Sequence, residues 1–426
     1  MAGEARTLGD CFTLTRGTTY QSARIGEDGP ILLGLGTICP EGGFRSDSLR
    51  SYGGYSPEKL ILRPGDLYVS LKDVTQSGAL LGSVARLPAF VERGRLTQDT
   101  VKLEPKADCP PLNYLYWLLR TPQYRAHCRE RATGTTNLGL AREDFLSFEV
   151  PPLSAEREVL SSLLDAVDEK IDLNRRVLET LEALARAIFE NWFVDFDPVL
   201  ANAEGYDSGV SADIASLFPA SFDNEGLPSG WRDQRIDEIA TLVRDSVEPS
   251  DVEPTTPYVG LEHIEKRQLG LANWGNASEV NSSKLKFQSG DLLFGKLRPY
   301  FHKVSIAPTA GICSSDIFVF RANNQSDRSF MYLALSQASF VASATGGVTG
   351  TRMPRADWSY MSGQRFAIGS EALMAAFSEF VDHILAPINV RLSEVGTLSA
   401  IRDALLPKLV SGEFRVSEKA MKAVAA

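Results

Sequence analysis

The chain carries one plan written twice, and the spacing between the copies is that of whole domains. Gly65-Asp66-Leu67 recurs as Gly290-Asp291-Leu292, residues 94–101 (GRLTQDTV) recur as 311–318 (GICSSDIF), and Ala132-Thr133-Gly134 recurs as Ala344-Thr345-Gly346, at offsets between 212 and 225 residues. Further on, Leu164-Asp165, Ile171 and Leu181 align without a gap on Val381-Asp382, Ile388 and Leu398 at an offset of 217. Stacked repeat arrays have periods of roughly 20–50 residues, so this is a duplication of lobes and not a solenoid. Each copy ends in a long amphipathic segment. Two similar lobes and two similar rods suit a target that itself has two parts.

The first rod, residues 154–193, opens with helix start signals. Pro151-Pro152 precede Ser154, a good N-cap, and Glu156 and Glu158 fall in the first turn, where carboxylates favour the exposed amide end. Leu164, Ile171, Leu178, Ala185 and Trp192 occupy one heptad position, and Val167, Asn174, Leu181 and Ile188 the position three residues on. The matching positions of the second rod are Val381, Ile388, Val395, Arg402 and Leu409, with Ile384, Arg391, Leu398 and Leu405. Its two arginines weaken the seam, and Pro387 predicts a kink. The fold class expected is α+β: two similar lobes separated by two long helices packed as an antiparallel coiled coil, with internal pseudo-twofold duplication. The boundaries fall at 1–150 for the first lobe, 151–200 for a central helical region, 201–370 for a connector and the second lobe, and 371–426 for a distal helical region. About 38 residues at 1.5 Å rise make a rod of about 55–60 Å, the rise of roughly 16 base pairs. Rods of that length can act as a ruler.

Charge bears on what such a chain can hold. The net charge of −10 divides as +1 over residues 1–150, −6 over 151–200, −4 over 201–370 and −1 over 371–426. The acid therefore sits on the first rod and the connector, which leaves the lobes open to nucleic acid but excludes a generic, charge-driven DNA coat. Binding should rely on local basic clusters and on help from a partner. With 43% hydrophobic and 23% charged residues the chain is an ordinary folded protein. Five scattered cysteines without a C-x-x-C pair, no basic-then-apolar leader in residues 1–12 and no run of about 18 uninterrupted apolar residues point to free thiols and a cytoplasmic location.

Each lobe mixes short apolar runs with Gly-Asp, Gly-Gly and Pro-Gly turns and reads as α+β with a strand-rich, partly open sheet. Helices are expected at 112–131 and at the counterpart 329–345. Catalytic patterns are missing: the four histidines are far apart, and neither G-x-S-x-G nor G-x-G-x-x-G occurs after a strand. Residues 290–297 (GDLLFGKL) have the glycine and lysine spacing of a phosphate loop, but Leu297 stands where a hydroxyl must hold magnesium. A strand entered through a Gly-Asp turn accounts for the same letters. The segment does offer a basic and aromatic set, Lys296, Arg298, Tyr300, His302 and Lys303, whose alternation in an extended run would put Lys296, Arg298, Tyr300 and His302 on one face. Threonine and glycine stretches at 133–137 and 345–352 add hydroxyls and an amide suited to phosphates and base edges. The candidate DNA contacts are Lys72, Thr135, Thr136 and Asn137 in the first lobe, and Lys296, Arg298, Tyr300, Lys303, Thr349, Thr351 and Arg352 in the second. A solvated strand face with an ordinary polar loop stands as the alternative.

Residues 151–199 resemble a known sequence. Their Pro-Pro-Leu opening, the run DEKIDLN at 168–174 and the exit WFVDFDPV at 192–199 look like the central conserved region of the DNA specificity subunit of type I restriction-modification enzymes. Residues 377–416, ending LLPKLVSGEFRV, resemble that family's distal conserved region, and GDLLFGKLRPY its target recognition domains. The first lobe departs from the pattern, since LYVSLKDVT at 67–75 keeps only Lys72 of the basic set. The resemblance implies that each lobe is a target recognition domain reading one half of a bipartite double-stranded target. The helices set the gap, with Leu164, Val167, Ile171, Leu178, Leu181, Ile188, Val381, Ile384, Ile388, Val395, Leu398 and Leu405 as spacer positions. Two methyltransferase subunits and restriction/translocase subunits are the implied partners. No cofactor is expected in this chain, with S-adenosylmethionine, ATP and magnesium on those partners, and the chain would be no enzyme. A fused methyltransferase would need an N/D-P-P-Y segment, for which Cys109-Pro110-Pro111-Leu112 lacks the polar first and aromatic last residue. A protein scaffold without DNA contacts is the other rival.

Overall fold

A computed structural model describes residues 6–74, 77–135, 137–346 and 354–414. The chain forms two compact units, one of residues 1–169 with 398–426 and one of residues 170–397, and each long helix contributes to both.

In the first unit, β1 (Phe12–Arg16), β4 (Leu67–Ser70), β5 (Val84–Arg86) and β7 (Thr100–Pro105) make an antiparallel sheet in the order β1-β7-β4-β5. A smaller sheet places β6 (Gly94–Leu96) between β2 (Ile31–Leu33), parallel to it, and β3 (Ile61–Leu62), antiparallel. Leu67 and Val69 turn to a cluster with Trp117 of α1 (Leu112–Leu118), while Tyr68 turns to a cluster with Leu33, Leu62 and Leu96 of the smaller sheet. β4 is thus covered on both faces, which is why its letters run apolar without alternating. The expectation of one partly open sheet is corrected to two sheets sharing an interior.

The second unit repeats the plan. β8 (Ala240–Val243), β11 (Leu292–Gly295), β12 (Val304–Ile306) and β14 (Ile317–Ala322) pair in the order β8-β14-β11-β12, the same order as in the first unit. β13 (Gly311–Cys313) again lies between a parallel neighbour, β9 (Pro257–Val259), and an antiparallel one, β10 (Lys284–Phe287). Leu292 and Phe294 join one core and Leu293 the other. The Gly-Asp turn is reproduced as well. Gly65 and Gly290 have φ of 91° and 86°, a conformation open to glycine without strain. The next residue caps the turn, Asp66 accepting from Arg63 N at 2.9 Å and Asp291 from Gln288 N at 2.7 Å. Each carboxylate also meets a cation on the neighbouring strand, Lys102 at 3.2 Å from Asp66 and Arg321 in a two-pronged pair with Asp291 at 2.7 and 2.8 Å. Buried Asp291 leads into β11 and the LLFG of GDLLFGKL is a strand, so the phosphate-loop spacing has no structural counterpart.

The helices expected at 112–131 and 329–345 are each broken in two. Thr121 accepts from Tyr124 N and Pro122 starts α2 (Pro122–Glu130), because proline fits a helix's first turn but not its interior. In the second lobe α4 (Arg328–Leu335) gives way to α5 (Ala338–Gly346) across Ser336, whose carbonyl receives His302 and Arg186.

The long helices are α3 (Ala155–Phe193) and α6 (Glu371–Ser411), 39 and 41 residues. Ser154 Oγ accepts from Arg157 N at 3.4 Å, the cap read in the sequence. The Arg157 guanidinium donates to the carbonyls of Leu409 and Val410 at 2.8 and 3.0 Å, a cation at the last turn of the other helix. Within the first unit the start of α3 therefore lies against the end of α6. Within the second, Leu178 and Ala185 share a core with Val381, Ile388 and Leu392. The pairing is antiparallel in both. Of the spacer positions, Leu164, Val167, Ile171, Leu178, Val381, Ile384 and Ile388 are buried, while Leu181, Ile188, Val395, Leu398 and Leu405 are half-buried. Leu385, Leu392 and Leu406, outside the predicted seam, are buried as well, because a straight helix drifts off a strict heptad. The helix continues through Pro387. By length and composition α6 is apolar enough to cross a bilayer, and its apolarity is divided between the seam and an exposed row.

That exposed row is duplicated too. Leu163, Leu173 and Leu184 of α3 are exposed, and so are Phe380, Val390 and Ile401 of α6, each at the same offset of 217. Exposed Ala183 and Ala187 match Ala400 and Ala404 in the same way. At 100° per residue these positions lie outside the seam, with Leu163, Leu184, Phe380 and Ile401 flanking one edge of it and the others farther round the helix.

Candidate nucleic-acid interface

Beyond β4 the first lobe continues as Lys72–Asp73, which pairs antiparallel with Leu138–Gly139, setting Lys72 opposite Gly139. Thr133 and Gly139 exchange backbone hydrogen bonds at 2.9 and 2.8 Å, which brings Thr133 beside the Leu138–Gly139 strand that pairs with Lys72. Gly134 has φ of 95°, and a Cβ there would lie 2.3 Å from the Asn137 carbonyl oxygen, so only glycine fits. Thr135 and Asn137 are exposed, and Lys72, half-exposed, lies 3.5 Å from Asp99. The first-lobe candidates that are described are thus brought together. Thr136 lies outside the described residues.

The second lobe has the same neighbours in a different form. Past β11, Lys296 N donates to Asp316 O, Arg298 N to Pro354 O and Ala356 N back to Lys296 O, each at 2.8 Å. The chain that returns from the second threonine-glycine stretch therefore runs beside Lys296–Arg298, as 138–139 runs beside Lys72. Thr349, Thr351 and Arg352 lie outside the described residues.

The extended run expected over 296–302 is corrected. Pro299–Phe301 is a single tight turn, flanked by Arg298 at φ 50° and His302 at φ 52°, so the alternation of side chains on one face does not exist. Proline removes the N–H that a ladder needs and fixes its own φ. His302 turns inward, 7% exposed, with Nε2 2.9 Å from Ser336 O, and desolvation holds its pKa below the usual imidazole value. Lys296 lies over the Phe318 ring at 4.5 Å and donates to Ser315 O at 2.7 Å, and desolvation lowers its pKa. Lys303 donates to Leu261 O at 2.6 Å. Tyr300 alone of the set is freely presented, 54% exposed and edge-on to Phe301. Arg298 holds a left-handed conformation that costs about 1–3 kcal/mol in a side-chain-bearing residue, and its buried Nε has no partner.

Three cations at this place carry no motif of their own. Exposed Lys266 stands 4.4 Å over the Phe301 ring, exposed Arg267 at φ 60° donates its N–H to His302 O, and Arg355 bridges Leu297 with its guanidinium 3.1 Å from Asp316. Only the duplication could have found Arg355, which sits 217 residues after Leu138 in the first lobe's returning segment. Lys266, Arg267, Arg298, Tyr300 and Arg355 together make a basic surface with a stacking ring, chemistry suited to phosphate and base contacts. Among the described residues no group of three His, Cys, Asp or Glu is placed to hold a metal ion.

The fold of two duplicated α+β lobes with a helix pair is shared with a solved structure. The S subunit of a type I restriction-modification system from M. genitalium has this fold, with a TM-score of 0.59 and 16% identity over 95% of both chains. In sequence the chain is 24% identical over 314 residues to the specificity subunit of the type I restriction enzyme MjaIX of Methanocaldococcus jannaschii, covering 72% of this chain and 69% of that one. It is 26% identical over 370 residues to the HindI specificity subunit of Haemophilus influenzae, covering 73% and 79%. No family model matches. The resemblance read in residues 151–199 is borne out by these similarities.

Proposed function

We propose that this chain is the non-catalytic DNA-specificity subunit of a type I restriction-modification system, each lobe reading one half of a bipartite duplex target and the helix pair setting the gap. The observation that carries the reading is the recurrence, at the same place in both lobes, of a returning segment beside a lysine: 138–139 beside Lys72, and 354–356 beside Lys296–Arg298. The shared scaffold with unlike side chains at that place suits two different half-sites. Base-edge contacts there supply specificity and the cations position the backbone. Helices of 39 and 41 residues at 1.5 Å rise are about 60 Å long, the rise of roughly 17 base pairs.

Two methyltransferase subunits are the partners this reading requires, with restriction/translocase subunits completing the complex. S-adenosylmethionine, ATP and magnesium belong to those partners, and the assembly works in the cytoplasm. The matched rows Leu163, Leu173, Leu184 and Phe380, Val390, Ile401 support two copies of one partner, because equal positions in the two copies all expose large apolar side chains. Reconstitution tests the reading. The chain alone should neither methylate nor cleave DNA, and with cognate methyltransferase subunits it should direct adenine methylation at a two-part sequence. Activity of the chain alone with S-adenosylmethionine, or an uninterrupted target, would overturn it. Leu173→Lys with Val390→Lys should leave stability within about 0.5 kcal/mol, as exposed substitutions do, while abolishing methylation.

A further inference from the structure

Within the second unit the seam between the long helices is apolar except at one layer, while in the first unit the seam arginine Arg402 lies 3.3 Å from Asp168. Asn174 is wholly buried, and both ends of its amide are engaged by α6: Nδ2 donates to Glu394 Oε2 at 2.9 Å and Oδ1 accepts from Arg391 Nη1 at 3.0 Å. Lys170 Nζ lies 3.5 Å from the other oxygen of Glu394. Asn174 and Arg391 are also the same position in the two copies, 217 residues apart, so the duplicated helices meet each other at this layer through equal positions carrying unlike side chains.

We propose that Asn174, Arg391 and Glu394 are specificity-determining residues, fixing the axial register of the helix pair and thereby the gap between half-sites. The inference rests on the specificity-subunit reading above. Apolar layers of an antiparallel pair fit nearly as well after a slide of one heptad, whereas a polar layer does not. A one-heptad slide would set Asn174 against Ile384 or Leu398 and Arg391 against Val167 or Leu181, leaving an amide and a guanidinium buried without partners. Arg391 Nε is unpartnered even in the observed register, so the layer is not optimised for stability. A buried polar group that costs stability but admits a single alignment is a register device. A slide of seven residues at 1.5 Å is about 10.5 Å, close to three base pairs.

The test is methylation by the reconstituted enzyme of a library holding the two half-sites at every gap from three pairs shorter to three pairs longer than the natural one. Asn174→Leu with Arg391→Leu should raise methylation at altered gaps, relative to the natural gap, by about tenfold or more, the factor that one hydrogen bond to a charged group supplies, with the half-site bases unchanged. Exchanging the pair, Asn174→Arg with Arg391→Asn, should restore the single gap, because the two positions are equivalent by duplication. Thermal unfolding run in parallel establishes that both variants fold, and gap selectivity is a readout that lost stability alone does not move. Unaltered selectivity in the folded Leu-Leu variant would overturn the inference while leaving the specificity-subunit reading intact. Absence of a two-part target in the unsubstituted enzyme would instead overturn that reading.

Discussion

The first lobe closes its candidate DNA edge with a two-residue ladder and a glycine loop, whereas the second does so with a tight turn between two left-handed residues. Beneath these edges the sheets have one order, one pair of Gly-Asp turns and one pair of carboxylate–cation contacts. The difference separates the part of the plan that is scaffold from the part proposed to read DNA. Letters that recur, such as Gly65-Asp66 and Gly290-Asp291, initiate strands in the interior. Letters that diverged, Lys72 against Arg298 and Tyr300, lie at the edge where two unlike half-sites would be read.

Even within the scaffold the copies are not equal, and substitution should expose it. Asp291 is buried and holds Arg321 through both oxygens, while Asp66 is partly exposed and holds a single lysine amine. Asp291→Ala should cost about 2–3 kcal/mol, and Asp66→Ala about 1 kcal/mol, in urea unfolding of the full chain. Equal costs would mean that the ion pair contributes nothing beyond the turn. At the edge of the first lobe, Gly134→Ala forces a Cβ against the Asn137 carbonyl at positive φ and should cost about 1–2 kcal/mol. Methylation mapping of the reconstituted enzyme should then show relaxed bases in one half-site only. The smallest stability change is expected in the second lobe with the opposite sign. Arg298→Gly relieves a left-handed residue and should raise stability by about 0.5–1 kcal/mol, while weakening DNA binding of the assembled enzyme by about 1–3 kcal/mol if the guanidinium reads a base. A loss of both stability and binding would make Arg298 a structural residue.

Much of the scaffold was legible because periodicity and turn chemistry are local properties. The Ser154 cap, the buried positions of the first seam and the strand after each Gly-Asp turn follow from spacing alone. What the letters concealed depends on distant neighbours. LYVS and LLFG read as apolar runs, and nothing in four letters says that one face meets helices and the other a second sheet. The turn at 299–301 was announced by Pro299, but the alternation of Lys296, Arg298, Tyr300 and His302 imitates a strand, and the burial of His302 depends on Ser336. Lys266 and Arg267 reach the basic surface from a segment with no motif, so only tertiary structure could bring them to it. At the helix pair, Arg391 reads as a weak point of the seam and is instead the partner of Asn174.

The proposed division of labour between reading lobes and measuring helices is tested most directly by lengthening the helices. Seven residues added to each at facing points keep the heptad phase and extend the pair by about 10.5 Å, close to three base pairs. They also turn one half-site by about 100° around a duplex of 10–10.5 pairs per turn, which should lower activity. Methylation mapping of the reconstituted enzyme should return the same bases in both half-sites with a gap about three pairs longer. Altered half-site bases at an unchanged gap would contradict the account.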